Sequence, residues 1–148
     1  MMGTPYADAT SGDTARGEIT RLLRRFGCEQ IGFMDDYERH EIVLAFRHRG
    51  RDMHLRASAQ GWAALFLKEN AWNSRRKSSP EAWKQRALAQ GQIAVNSILR
   101  DWVKGQVMAI ECGVLSFEQV FSPYVLLNDG RTVVERLTQE GAFLESAR

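Results

Sequence analysis

Apolar residues recur at steps of three and four over a long stretch in the second half of the chain, which is the spacing of one face of an α-helix. Ser79, Pro80 and Glu81 are typical of a helix start, and Gly113 is typical of a helix end. The pattern predicts a helix of about 33 residues, about 50 Å long. Its apolar stripe comprises Ala87, Gly91, Ala94, Ile98, Trp102, Gly105 and Ala109. Its polar back comprises Gln85, Asn96, Arg100 and Lys104.

Three shorter stretches ahead of this helix alternate between apolar and polar residues, as a β-strand with one buried face does. They lie at 31–33, 41–47 and 53–58, with polar turns at 35–38 and 49–52. Period-two alternation indicates that one side of the sheet packs on helices and that the other faces water.

An amphipathic helix precedes the strands, beginning at Asp13 or Thr14 and ending at Gly27. The order of elements predicts an α+β fold. A three-stranded antiparallel meander is covered by the N-terminal helix and the long central helix (αβββα).

The other segments surround this core. Residues 1–13 are small and polar and are expected to be a disordered tail, whereas 14–148 is long enough for a single domain. The connection 59–79 contains a short helix near Trp62 and Phe66. Two capping boxes, Ser116 with Gln119 and Thr132 with Glu135, predict a small helical C-terminal extension.

Composition is that of an ordinary globular protein, with 44% hydrophobic and 26% charged residues. No apolar run approaches the about 20 residues that cross a bilayer, and the first residues lack an apolar signal segment. We therefore expect no membrane association and a cytoplasmic location. Cys28 and Cys112 are expected to be unpaired thiols in apolar surroundings.

Positive charge is concentrated in short segments, although the formal net charge is only +2. The predicted β-hairpin carries Arg47, Arg49, Arg51 and Arg56 against one acid, Asp52. The connection before the long helix carries Arg75, Arg76 and Lys77, preceded by Lys68 and Trp72. The first helix adds Arg16, Arg21, Arg24 and Arg25. Guanidinium clusters attract phosphate backbones, and neighbouring aromatic rings such as those of Trp62, Phe66 and Trp72 stack on unpaired bases.

Catalytic patterns are absent from the sequence. A metal-dependent nuclease of this layout needs carboxylates that hold the metal ion, and these could come from Asp35, Asp36, Glu38 and Glu41. The third strand, however, has no acid-x-Lys pair, which such a site also needs. The histidines His40, His48 and His54 lack zinc-ligand spacing. A catalytic pair of a histidine with Cys28 or Cys112 is compatible with the sequence, but no flanking motif supports it. We expect no catalytic residues, no metal and no cofactor, and we predict that the chain is not an enzyme.

Four segments resemble a family of small proteins from tailed phages and prophages over roughly residues 10–137. They read EITRLLRRFGCEQIGF, IVLAFRHRGRDMHL, KQRALAQ and AIECGVLSFEQVF…YVLLNDGRTVVE. The resemblance implies a phage or prophage setting and assigns no chemistry to any residue, because the members are uncharacterised. The aromatic segment Trp62–Trp72 departs from the family pattern.

Two function classes follow. The first is a phage or prophage accessory protein that binds nucleic acid, DNA or RNA, largely without sequence specificity, through the basic hairpin, with Arg75, Arg76, Lys77 and Trp72 as a second contact. The alternative is a protein-binding module, such as an inhibitor of a host defence complex or a replication or recombination partner. A homodimer through Gly91 and Gly105 is compatible with either class.

Overall fold

A computed structural model describes residues 3–144 of the chain, and its α+β architecture confirms the predicted order of elements. Helix α1 precedes a three-stranded sheet, the long helix α3 follows it, and short helices end the chain. The elements are α1 (Asp13–Arg25), β1 (Glu29–Asp36), β2 (Glu41–His48), β3 (Arg51–Ser58), α2 (Ala59–Glu69), α3 (Pro80–Glu111), α4 (Phe117–Phe121), a 3-10 turn (Ser122–Tyr124) and α5 (Val133–Gln139).

The sheet is an antiparallel meander in the order β1-β2-β3. Its register places Phe33 opposite Leu44, and Leu44 opposite Leu55. The turn between β2 and β3 consists of Arg49 and Gly50, which both have positive φ, as a two-residue hairpin turn requires. One face of the sheet is buried against the helices, as the alternation predicts. Its side chains include Ile42, Leu44, Phe46, Met53 and Leu55.

Helix α3 spans 32 residues and is capped by the Ser79 hydroxyl, which accepts a hydrogen bond from the Ala82 amide. Its buried surface differs from the predicted stripe. Asn96, predicted on the polar back, is buried, whereas Ile98 is exposed. The reason is that α1, α2 and the sheet all pack on α3, and Arg16 of α1 donates to Asn96 at 2.8 Å. A helix with neighbours on several sides buries more than one stripe.

Helix α2 packs against the N-terminal half of α3, and the contact depends on Gly91. A Cβ atom at Gly91 would lie 2.7 Å from the carbonyl oxygen of Ala59 and 3.4 Å from the Trp62 ring. The surface of Gly91 is therefore occupied by α2 within the chain, and the homodimer stays a prediction. Gly105 is exposed, and a Cβ atom there would meet nothing within 4 Å.

The N-terminal segment makes specific contacts over its described part, residues 3–12. Thr4 is buried and its hydroxyl donates to Glu69 at 2.8 Å. The Pro5 carbonyl accepts from the Trp62 indole at 2.9 Å, and the Ala9 carbonyl accepts from Gln90 at 2.8 Å. Composition predicted a disordered tail. The segment instead lies along α2 and α3, where its carbonyl groups satisfy polar side chains of both helices.

The C-terminal extension covers the free edge of β3. Val125 bridges Met53, and the Leu126 amide donates to the Asp52 carbonyl at 2.8 Å. The Phe121 ring meets Phe46 edge to face, with ring centroids 5.5 Å apart. Both predicted capping boxes are present, at Ser116/Gln119 and at Thr132/Glu135.

His48 is the last residue of β2 and is buried at the end of the core next to the β2–β3 turn. Its ring lies 5.1 Å from the Phe26 ring and 4.6 Å from the Phe117 ring, centroid to centroid, and the residue is buried. Burial, and after it the charge of Arg49, lower the pKa of His48 below its ordinary value. The Gly27 backbone and the more distant Glu118 and Glu29 oppose this shift.

The helices in the described part of the chain are all too short or too polar to cross a lipid bilayer. Both cysteines are free thiols. Cys28 is buried as predicted, but Cys112 is exposed, because it follows the end of α3 where the core stops.

Gly91→Ala tests the contact between α2 and α3. We expect it to lower the free energy of unfolding by about 1–3 kcal/mol, because the Ala59 carbonyl group must move. Gly105→Ala is the matched control on the same helix. It should raise the stability by up to about 1 kcal/mol, the helix propensity gain. Urea unfolding of both variants measures the difference, and equal effects would contradict the close approach at Gly91.

The buried His48 predicts a pH dependence of stability. A histidine whose pKa is lower in the folded state binds more protons when unfolded, so stability is full above the unfolded pKa of about 6.5 and declines as the pH falls below it. Thermal unfolding between about pH 7.5 and pH 5.5 should show a falling Tm. His48→Gln should flatten this part of the profile. A profile unchanged by His48→Gln would contradict the assignment.

Candidate functional site

Two of the four hairpin arginines are neutralised by carboxylates. Arg47 lies opposite Asp52 in the β2–β3 ladder, and its guanidinium contacts both oxygens of that carboxylate, at 2.9 and 3.4 Å. Arg56 lies 3.3 Å from Glu135 at the start of α5. Burial opposes ionisation of Glu135, but hydrogen bonds from Thr132 and the charge of Arg56 hold its pKa below the usual value.

The other two hairpin arginines remain available. Arg49 and Arg51 flank Gly50 at the tip, are exposed, and have no carboxylate oxygen within 4 Å among residues 3–144. Of the four arginines that the sequence indicated on the hairpin, two therefore present unpaired guanidinium groups at its tip. The Arg56 pair was not foreseeable from local sequence, because Glu135 is distant in the chain.

A denser basic surface lies at the end of α2, in the following loop and in the first turns of α3. We call residues 68–86 the basic arm. It contains six cations, Lys68, Arg75, Arg76, Lys77, Lys84 and Arg86, against two acids, Glu69 and Glu81, a net formal charge of +4. Within the described chain, none of the six forms a salt bridge. Lys84 and Arg86 were not among the predicted contact residues, because they lie on α3, beyond the basic cluster at 75–77.

Two tryptophans hold the basic arm in shape. The Trp72 indole N–H donates to the Ser78 carbonyl at 2.7 Å, and the Trp83 indole N–H donates to the Asn70 carbonyl at 2.8 Å. The Arg76 guanidinium lies 3.9 Å from the Trp83 ring centroid, a cation–π distance. The loop therefore has a defined path that holds its cations on one part of the molecule.

The aromatic side chains of this region divide between core and surface. Trp62 is buried and stacks on Phe66, which in turn lies against Trp83. The prediction that the Trp62 ring serves as a stacking surface for bases is therefore wrong. Trp72 keeps 38% of its surface exposed and is the predicted aromatic contact that stays accessible.

The basic arm and the hairpin tip are separate surfaces at opposite ends of the molecule. The Gln92 side chain donates to the Glu41 carbonyl at the start of β2, so the residues of α3 before Gly91 extend past that end of the sheet. The tip lies at the other end of β2, where His48 contacts Phe117 beyond the C-terminus of α3. A helix of 32 residues is about 48 Å long, so the two groups of cations do not merge.

The structure brings Cys28 and His48 together, with 3.8 Å between Sγ and Nδ1. Burial raises the pKa of the Cys28 thiol to about 11, so the sulfur carries its proton at neutral pH, whereas a nucleophilic cysteine needs the thiolate. In residues 3–144, no three His, Cys, Asp or Glu side chains are grouped to hold a metal ion. This pair packs the core, and the expectation of a non-enzymatic protein stays a prediction.

Comparison with known proteins returns no match to a family model, to a curated protein or to a solved structure. The resemblance to small phage and prophage proteins therefore stays a prediction.

Proposed function

We propose that this protein binds nucleic acid, largely without sequence specificity, through the basic arm. The observation that carries the proposal is that all six cations of residues 68–86 lack a carboxylate partner within the described residues, whereas seven arginines elsewhere in the chain have one. A cation without a partner gains most from a phosphate, because no existing ion pair has to break.

Two physical effects favour a phosphate backbone as the partner. Binding of unpaired lysine and arginine side chains to phosphates releases condensed counterions, which supplies most of the affinity in non-specific binding. The exposed part of the Trp72 ring lies among these cations and offers a stacking surface for an unpaired base. Arg49 and Arg51 form a smaller second contact. A nucleic-acid strand bound to the basic arm reaches them only if it extends along the length of the molecule.

In this proposal the protein is a non-catalytic accessory protein of a phage or prophage and acts in the cytoplasm of the host cell. The setting rests on the resemblance of its sequence segments to phage proteins, and the binding activity rests on the basic arm. The two parts are independent, because nucleic-acid binding is measured on the purified protein whatever its origin.

A protein-binding module is the second candidate. Met108, Val114 and Leu115 are exposed large hydrophobic residues at and beyond the C-terminal end of α3. Exposed apolar groups that lie close together mark contact surfaces. A partner bound there would leave the basic arm free, so the two functions make different predictions for variants of the arm.

The triple variant Arg75→Ala, Lys77→Ala and Lys84→Ala tests the first proposal. Each lost phosphate contact lowers the slope of log affinity against log salt by about 0.9 on duplex DNA and about 0.7 on single strands, so we expect a decrease of about 2–3. Fluorescence anisotropy with labelled single- and double-stranded DNA and RNA, at two salt concentrations, measures the slope. Arg76 is kept because it packs on Trp83.

The matched control removes three ion-paired arginines, Arg25, Arg131 and Arg136. It changes the net charge by the same amount and should leave the slope nearly unchanged. An equal loss of salt slope in the two triple variants would show that total charge, and not the basic arm, determines the binding. No binding of any oligonucleotide by the wild-type protein at low salt would contradict the proposal and favour the protein-binding candidate.

The hairpin is tested by two double variants. Arg49→Ala with Arg51→Ala should weaken binding and lower the salt slope by about 1–2, because two unpaired cations are lost. Arg47→Ala with Arg56→Ala should change affinity little, because both side chains already contact carboxylates. The same anisotropy titration compares them, and a larger loss in the second variant would show that the ion pairs open on binding.

A further inference from the structure

A cleft of about 410 Å³ opens between the N-terminus of α1, one face of α3 and the turn between β1 and β2. This volume lies in the range of small-molecule sites. The cleft adjoins the basic arm at Gln85, and the sequence does not predict it, because its walls come from three segments that are far apart in the chain.

A polar network forms one side of the cleft. Arg16 contacts Asp35 Oδ1 at 2.6 Å and donates from Nε to Asn96 Oδ1 at 2.8 Å. Gln92 Nε2 donates to Asp35 Oδ1 at 3.2 Å and to the Glu41 carbonyl at 3.1 Å. The Asn96 amide nitrogen donates to the Gln92 carbonyl at 3.0 Å. These bonds fix the side chains before any ligand arrives.

The network leaves hydrogen-bond acceptors unused. Both bonds to the Asp35 carboxylate end on Oδ1, so Oδ2 accepts none from residues 3–144. Gln92 is only 9% exposed, and its Oε1 has no partner there. Swapping the oxygen and nitrogen positions of the Gln92 side-chain amide would not give Oε1 a partner. The nitrogen already donates to two oxygens, so the swapped oxygen would face two acceptors. A buried acceptor without a donor is rare in a native protein. Gln92 Oε1 is closed to water-sized groups, whereas the Asp35 side chain is 24% exposed, so Asp35 is the acceptor that a ligand in the cleft reaches.

The charge of the cleft is negative. Arg16 and Asp35 cancel as an ion pair. Asp13, also in the lining, forms no salt bridge within the described residues. Burial opposes ionisation of Asp35, but the hydrogen bonds from Arg16 and Gln92 and the Arg16 charge hold its pKa below the usual value. Asp35 therefore stays an anion at neutral pH. His40 also lines the cleft.

Apolar groups complete the lining. Leu88 and Ile93 are half-buried and lie on the face of α3 that lines the cleft. Leu88 is one helical turn before Gln92, and Ile93 is one turn before Asn96. Tyr37 lies in the turn between β1 and β2 and is 70% exposed. Aliphatic side chains accommodate a hydrocarbon stem, and an aromatic ring at the mouth attracts a cation.

We infer that this cleft binds a small aliphatic ligand that carries a terminal ammonium or guanidinium group. The cationic group supplies the donor that Asp35 Oδ2 lacks and is attracted by Asp13, and the stem packs on Leu88 and Ile93. Such a group occurs on free alkyl amines and on basic amino-acid side chains, so the shared chemistry is the cation with its stem. The inference does not depend on the proposed nucleic-acid binding.

The test titrates the full-length protein with agmatine, cadaverine and Nα-acetyl-lysine amide by isothermal calorimetry and by ¹H–¹⁵N NMR. We expect saturable binding with shifts at the Gln92 side-chain amide, at residues of the β1–β2 turn and at the first turn of α1. Binding of agmatine or cadaverine without the capped lysine assigns the site to free amines. Binding of all three assigns it to the shared group.

Asp35→Asn removes the Arg16 partner and endangers folding, so the variants are Asp13→Asn and Tyr37→Leu, both at exposed positions. Each should weaken binding about tenfold or more, the effect of losing one favourable contact of about 1.4 kcal/mol. Asp129→Asn is the distant control and should leave binding unchanged. An absence of saturable binding, or tighter binding of inorganic phosphate by Asp13→Asn than of amines by the wild type, would overturn the inference.

Discussion

The close approach of α2 to α3 at Gly91 is the constraint on which the arrangement of this protein depends. The Ala59 carbonyl group lies where any larger side chain at position 91 would project. Because α2 follows β3 without a linker, fixing its first residue against α3 also fixes the end of the sheet. Gln92, the next residue, donates to the Glu41 carbonyl at the start of β2. Two adjacent residues of one helix thus anchor a second helix and the central strand.

Buried polar residues in the middle of α3 add to this anchoring. Gln92 and Asn96 lose their contacts with water, a cost that hydrogen bonds to Arg16, Asp35 and backbone oxygens offset. These bonds are directional, so they select one rotation of α3 relative to α1 and β1 where apolar packing alone tolerates several. The same residues line a cleft, so one set of side chains both orients the helices and forms the wall of that cavity.

The distribution of charge follows from which cations have carboxylate neighbours. Arg47 and Arg56 lie on strands whose neighbours supply Asp52 and Glu135, and their fields are cancelled locally. The six cations of the basic arm form no salt bridge within the described residues, and two tryptophans fix its loop. Its +4 formal charge is therefore concentrated on a surface of a protein whose formal net charge is only +2. Local pairing, more than composition, decides where a polyanion is attracted.

The sequence by itself determined the elements of this protein. Period-two alternation located the strands, the Ser79–Gly113 pattern located α3, and two capping boxes located α4 and α5, because these signals are local and each is read within a few turns of chain. Only the tertiary structure decided which faces are covered: that Asn96 is buried, that the N-terminal segment lies along α2 and α3, and that Arg56 meets Glu135. Burial and ion pairing at these positions depend on residues far apart in the chain, and local periodicity carries no information about that distance.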